Sequence, residues 1–362
     1  MKRLPRNGRP FGALALVFTL LGASGAGAQG LKDQLGTVAK KPENPDQSGW
    51  RKKMAGSSVD LTSYVGSGTF YASGYTNPYV STAVFVRPTY DLGTKYKLSL
   101  NGRLYLEEEF TKPDAPTGRR FNPYDIWLWL SAKDLHTFSA SKIRLGGVVR
   151  LVVPISYESR YAHMLTGVAA GLGLTRLFEL GSNPTPEGRW NLVTAISSVA
   201  TKYFYTSELR GDAPGDSNGC RPFVPAGLAA GGGAPAASEG DRCGGPVNTN
   251  FALTTSATVA LSHGKWSLAT ILLLSNTFRY RIDANLEAML PASSIGRSDS
   301  TWGIVSVTYS FTDHLGLTVG LSSFQPALDS RYRYPRFPFF DLSGGAAVNN
   351  FTQAFISLSG TL

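Results

Sequence analysis

The chain has 362 residues, with 35 lysines and arginines against 25 aspartates and glutamates and a formal net charge of +10. Four of the basic residues, Lys2, Arg3, Arg6 and Arg9, belong to an N-terminal leader, and without them the excess falls to +6, a bias too mild for a nucleic-acid-binding surface. Composition is even from Ser57 to Leu362, which excludes an obvious domain boundary and leaves one large domain behind a short N-terminal extension.

In the leader, the basic residues precede an apolar run from Phe11 to Leu21 and then Ala26-Gly27-Ala28. This predicts a secretory signal peptide over 1–28, cut before Gln29. The run is too short to cross a bilayer as a helix, and no cysteine follows it to carry a lipid anchor. Residues 29–56 read as a periplasmic extension in which Leu31 to Lys41 carries a short helical pattern ahead of a Pro- and charge-rich linker to Lys53; it hangs in the periplasm, plugs the lumen or is disordered, disorder being the default reading. The longest charge-free stretch, Cys243 to Gly264, carries Asn248, Asn250, Thr254, Ser256 and Thr258, so it is a strand with a polar face and not a membrane helix. An exported chain embedded in lipid without a helix must close its sheet into a barrel, because every backbone donor and acceptor needs a partner there. The alternative is a soluble exported β protein.

From Ser58 onward, stretches of alternating polar and apolar residues recur. In Ile143 to Val153, Ile143, Leu145, Val149, Leu151 and Val153 share one parity while Arg144 and Arg150 hold the other. In chain order, strands are predicted over Ser58 to Gly66, Tyr79 to Asp91, Tyr96 to Phe110, Asp125 to Ala132, Lys142 to Val153 and Leu165 to Phe178. Six more follow, over Trp190 to Glu208, Phe251 to Leu261, Trp266 to Ile282, Trp302 to Phe311, Leu315 to Phe324 and Phe351 to Leu362. Connections after the even strands are compact (Leu92 to Lys95, Lys133 to Ser141, Glu179 to Arg189, Ser262 to Lys265, Thr312 to His314). Those after the odd strands are longer, the largest running from Leu209 to Asn250. Short turns alternating with long loops around an even strand count define an all-β, antiparallel, up-and-down transmembrane barrel of about twelve strands over 57–362, with 209–250 as a long extracellular loop.

The 40 glycines, 16 tyrosines and 19 phenylalanines suit a twisted sheet with aromatic girdles. Trp127, Trp129, Trp190, Trp266 and Trp302 fall near predicted strand ends, where an indole sits at the headgroups; the competing reading is that they fill a core. The last strand, NNFTQAFISLSGTL, resembles the amphipathic C-terminal strand read by the barrel-insertion machinery, although it ends in Leu362 where an aromatic residue is usual. The chain as a whole resembles Gram-negative outer-membrane β-barrels of the porin and substrate-channel type. That resemblance implies an outer-membrane location, contact with outer-membrane lipids and lipopolysaccharide, and small solutes as cargo.

With apolar residues assigned to lipid, Arg87, Lys97, Arg103, Arg144, Arg150, Lys202, Arg279 and Arg281 point into the lumen against Glu107, Glu109 and Glu208. A positive lumen enriches anions over cations, so an anion-preferring passive or substrate-specific channel is expected; alternatively the arginines brace the wall by pairing with carboxylates. Cys220 and Cys243 enclose a Gly-, Ala- and Pro-rich segment and read as a disulfide, which in the chain-entropy model is worth roughly 3 to 4 kcal/mol. The four histidines are scattered, and neither a metal site nor a cofactor fingerprint is expected. Arg331 to Phe340 (RYRYPRFPFF) interleaves cations, aromatics and prolines, a composition that stacks on sugars, meets lipid phosphates or caps the rim. Two further functions compete with a channel. One is a structural or adhesive barrel acting through its external loops. The other is a lipid hydrolase built on Glu158, Ser159 and His163, which lacks any accompanying motif.

Overall fold

The computed structural model describes residues 49–70, 78–93, 95–111, 119–180, 189–208, 247–282, 296–328, 334–342 and 351–362. The predicted leader, the helix at 31–41, the 209–246 loop with both cysteines, and Arg331 to Arg333 lie outside the described residues.

Twelve antiparallel strands close on themselves. They are β1 (Ser58–Gly66), β2 (Val80–Arg87, resuming after Pro88 as Thr89–Asp91), β3 (Leu98–Glu109), β4 (Arg120–Pro123 and Ile126–Thr137), β5 (Arg144–Val153) and β6 (Met164–Leu180). The ring continues through β7 (Trp190–Tyr205), β8 (Thr249–His263), β9 (Trp266–Arg279), β10 (Arg297–Ser310), β11 (Leu315–Pro326) and β12 (Thr352–Thr361). Each strand pairs with its neighbours in sequence, and β1 closes the ring against β12 from Ser58↔Thr361 to Gly66↔Gln353. The odd-to-even connections, such as 154–163 and 206–248, are long, and the even-to-odd ones, such as 264–265 and 311–314, are short. Two short helices accompany the barrel: α1 (Gly49–Met54), at the short-turn end, and α2 (Tyr157–Tyr161), in the β5–β6 loop. No helix among the described residues is long and apolar enough to cross a membrane.

The strand period of two puts leucine and valine outside. Leu61, Leu100, Val149, Leu172, Ile196 and Val319 are each at least half exposed, and many more apolar side chains of the same parity join them. So much continuous exposed apolar surface is untenable in water and fits the hydrocarbon band of a membrane. At the short-turn end Trp190 stacks on His263 at 4.5 Å and Trp266 meets Tyr309 at 4.7 Å, both indoles being exposed. These two tryptophans stand where the sequence placed them. Trp127 and Trp129 do not: both are buried inside the barrel, and Trp302 also points inward, where its Nε1 donates to Ser322 Oγ at 2.6 Å.

Two irregularities shape the wall, one near the short-turn end of β2 and one near the long-loop end of β4. Pro88 has no N–H to give the ladder and interrupts β2, yet Gly102 N still donates to the Pro88 carbonyl at 2.9 Å. A Cβ at position 102 would lie 3.0 Å from Pro88 Cγ, so glycine is what lets the proline ring seat against β3. In β4, Leu106 pairs with Pro123 but Arg103 pairs with Trp127, which gives β4 one residue more than β3. This bulge brings both Tyr124 and Trp127 inward and turns Asp125 toward the β5–β6 loop.

Candidate functional site

The interior divides into a polar side and an apolar side. On the polar side, β1 and β12 are tied by Thr62 Oγ1 and Ser357 Oγ at 2.7 Å, and Asp60 bridges to Arg87 at 2.8 Å while accepting from Ser359 Oγ. Phe85, Tyr105 and Tyr124 stack across β2, β3 and β4 with centroid spacings of 4.2 and 4.1 Å. Glu107, 1 % exposed, accepts from both Tyr79 Oη and Tyr124 Oη. Its charge is therefore held by tyrosine hydroxyls, and among the described residues no arginine pairs with it.

The apolar side meets the basic residues at Trp127. Arg103 on β3 and Arg150 on β5, from the strands flanking β4, each bring a guanidinium 4.3 Å from the Trp127 ring centroid. Both are inward and buried, at 2 % and 7 % exposure. Arg150 also lies 6.0 Å from the Trp129 ring, and its Nε makes no hydrogen bond within the described residues. Trp127 and Trp129 pack with Val152, Met164, Tyr203 and Ala252, and Phe324 of β11 reaches this cluster from a strand that is not adjacent to any of them. Two like charges are thus held around one indole at a narrowing of the lumen, where the quadrupole of the ring offsets part of their repulsion.

The remaining predicted lumen residues separate into three groups. Arg144 and Arg279 are inward, the latter buried with Nη1 donating to the Val247 carbonyl at 2.8 Å. Lys97 and Arg281 belong to the rims: Lys97 is exposed in the turn before β3 and pairs with Asp134 at 3.2 Å, and Arg281 is exposed beyond the end of β9. Glu208 is likewise exposed past β7, while Glu109 is inward at the long-loop end. Lys202 is a correction. It pairs with Val168 and Phe251, which share the outward parity, and its ammonium reaches Asn250 Oδ1 and the Tyr280 ring at 4.8 Å. A long aliphatic stem lets the charge climb to the long-loop rim along the outer wall, so the rule that charge marks the lumen misassigns it.

The Ser159 and His163 pair does not form a hydrolytic centre in this geometry. Ser159, 3 % exposed, donates its hydroxyl to Asp125 Oδ2, and its N–H is capped by Ser156 Oγ at 3.1 Å. Exposed His163 instead sits at φ 55° and joins the wall through its backbone carbonyl to Thr206 N. The carboxylate at the bulge is a latch, since Asp125 Oδ1 also accepts from Ile155 N at 3.0 Å and Ser156 N at 2.9 Å. Arg120 supports the same helix from β4, 3.9 Å from Glu158. Asp125→Ala is expected to release α2, with faster hydrogen exchange and proteolysis confined to 154–163. Three hydrogen bonds to a carboxylate, partly replaced by water, place the local loss at about 3 kcal/mol. Unchanged exchange in that loop would overturn the latch. Among the described residues, no group of three or more His, Cys, Asp or Glu could hold a metal ion.

No protein-family model matches the chain, and no curated protein does. Among solved structures, it is similar to an outer membrane channel from Pseudomonas putida F1, at 11 % identity over 90 % of this chain and 100 % of that one, with a TM-score of 0.48. It is also similar to outer membrane phospholipase A from Escherichia coli, at 9 % identity over 84 % and 91 % of the two chains with a TM-score of 0.29. A porin follows at 9 % identity, covering 84 % and 99 % with a TM-score of 0.29.

Proposed function

We propose that this protein is an outer-membrane channel for small anionic solutes, with its short turns in the periplasm and its long loops outside. The observation that carries the reading is the Arg103–Trp127–Arg150 cluster: two inward guanidiniums, fixed at one indole, at the narrowing of a closed barrel whose outside is apolar. Of the inward carboxylates, Asp60 is paired with Arg87, while Glu107 accepts from two neutral tyrosine hydroxyls and offsets part of that field. Arg87 is therefore a bracing residue, while Arg103 and Arg150, buried beside Trp127, act on a solute through their field at the narrowing. Signal-peptide export and insertion by the barrel-assembly machinery complete the route to that membrane.

The apolar packing of Phe324 against the tryptophan cluster makes the passage narrow, so conductance is expected to be small and cargo to be limited to single small solutes. Planar-bilayer recording of the refolded protein under a salt gradient tests this. A small steady conductance with a reversal potential of the anion-selective sign supports the channel. A folded, heat-modifiable barrel that passes no current moves the function to the external loops, as a structural or adhesive barrel.

A further inference from the structure

The last long loop contains a segment that lies where an external loop has no reason to be. On β10, β11 and β12 the outward parity runs through Val307, Val319, Leu321 and Ile356, all 41–53 % exposed and part of the apolar belt. Following the same parity toward the long-loop end, Gly303 pairs with Ser323 and Ser323 with Thr352, and Gln325 stands beyond them. These side chains also point out of the barrel, yet Ser323 and Gln325 are 0 % exposed and Thr352 is 3 % exposed.

What buries them is the segment 334–342, laid against the outside of the wall. Gln325 Nε2 donates to the Phe337 carbonyl, Asp341 N donates to Thr352 Oγ1 at 2.8 Å, and Thr352 Oγ1 lies 3.3 Å from Ser323 Oγ. Gly303 completes the seat: a Cβ there would overlap the Pro338 carbonyl and come within 2.7 Å of Phe339 Cα. The charges of the segment are matched internally, with Arg336 Nη1 at 2.8 Å from Asp341 Oδ2 and Arg336 Nε donating to the Leu328 carbonyl at 3.1 Å. Its polar atoms thus face the wall, and its rings face away. Phe337 and Phe340, in edge contact at 4.8 Å, are 55 % and 49 % exposed.

Depth decides what those rings meet. Gly303 lies six residues along β10 from Tyr309, which touches Trp266 in the girdle at the short-turn end. At about 3.3 Å per residue and a tilt of about 40°, that is roughly 15 Å above the girdle, inside an apolar band about 25 Å tall. The geometry points to 334–342 as a membrane-embedded flap whose aromatic face takes the acyl chains of the outer leaflet. A net-neutral segment whose charges pair internally and whose Pro335 and Pro338 carry no N–H, continuous with the leucine and valine belt, suits hydrocarbon better than water or an anionic sugar. The polar wall beneath it is tolerated in lipid because the flap covers it.

This inference rests on the membrane-spanning reading of the barrel, and the experiment separates the two. Nitroxide labels are placed singly at Phe340→Cys in the flap and at Ile356→Cys in the belt, with Cys220 and Cys243 replaced by serine, in protein reconstituted in phosphatidylcholine vesicles. High collision with oxygen and low collision with a nickel chelate at both sites supports the flap. Nickel access at Phe340→Cys alone overturns it, and nickel access at both sites overturns the membrane reading itself. Protection of Phe340→Cys from both reagents, with dipolar broadening between labels, assigns the face to a second copy and also overturns the lipid flap. Gly303→Leu, added separately to the Phe340→Cys chain and to the Ile356→Cys chain, is expected to remove the seat and cause a loss of oxygen access at the flap label while leaving the belt label unchanged.

Discussion

A barrel carrying Arg103→Glu together with Arg150→Glu is expected to exchange its anion preference for a cation preference. The double replacement changes the charge at the Trp127 narrowing by four units, from two guanidiniums to two carboxylates. A unit charge about 8 Å from a permeating ion, at an effective dielectric constant of about 40, contributes about 1 kcal/mol. Four such units shift the balance between a monovalent anion and a monovalent cation enough to reverse the sign of the reversal potential, even after screening by salt with a Debye length of about 8 Å. Arg87→Gln should do much less, because it removes a cation already paired with Asp60 at 2.8 Å. Arg144→Glu should also act weakly, since Arg144 opens β5 at the short-turn end and not at the narrowing. Introduced carboxylates near Glu107 repel it, so the neutral pair Arg103→Gln and Arg150→Gln is the companion variant; it is expected to abolish selectivity without reversing it. Selectivity that is identical in the wild-type chain, the neutral pair and the acidic pair, all heat-modifiable, would remove these two residues from the conduction path.

The architecture was legible because a barrel writes itself into sequence twice, as a period of two within strands and as alternation of short and long connections between them. β1 and the starts of β7, β9 and β11 fall on their predicted residues, since Ser58, Trp190, Trp266 and Leu315 each open a run with one apolar parity. The reading failed where something other than lipid covers the wall. β10 begins at Arg297, five residues before the predicted start, because Asp299, Thr301 and Gly303 give its outward face no apolar signal. Near that face lies the 334–342 segment, so the membrane imposes no leucines there. The β4 extension Arg120–Pro123 was hidden by the bulge, which breaks the alternation between Asn122 and Trp127. The same bulge explains the tryptophans: their position near a strand end suggested a headgroup girdle, but the extra residue sets them inward. Lys202 shows the opposite limit, a charge on the outward parity that a long stem carries to the rim. Nothing local announces that Asp125 holds α2 or that Glu107 serves two tyrosines, because both depend on strands that meet only when the ring closes.

Trp127→Ala is expected to have the largest effect on stability and to widen the passage at once. The indole is 4 % exposed and packs with Trp129, Val152, Met164, Tyr203 and Ala252, so truncation leaves a cavity costing about 3 to 5 kcal/mol. It also strands two guanidiniums that lose a ring face worth about 0.5 to 2 kcal/mol each. The two charges then repel one another with only water between them, which separates the variant from an ordinary core truncation such as Val152→Ala. The denaturation midpoint should fall well below that of Val152→Ala, and single-channel conductance should rise because the side chain that fills the narrowing is gone. Trp127→Phe keeps an aromatic face and most of the volume; it should recover most of the stability and hold conductance near the wild-type value. If Trp127→Ala and Val152→Ala lose equal stability and conduct alike, the arginines draw nothing from the indole, and the narrowing must be sought elsewhere in the barrel. A graded series in which stability falls and conductance rises from tryptophan through phenylalanine to alanine ties both properties to one ring, since only the group between Arg103 and Arg150 changes along it.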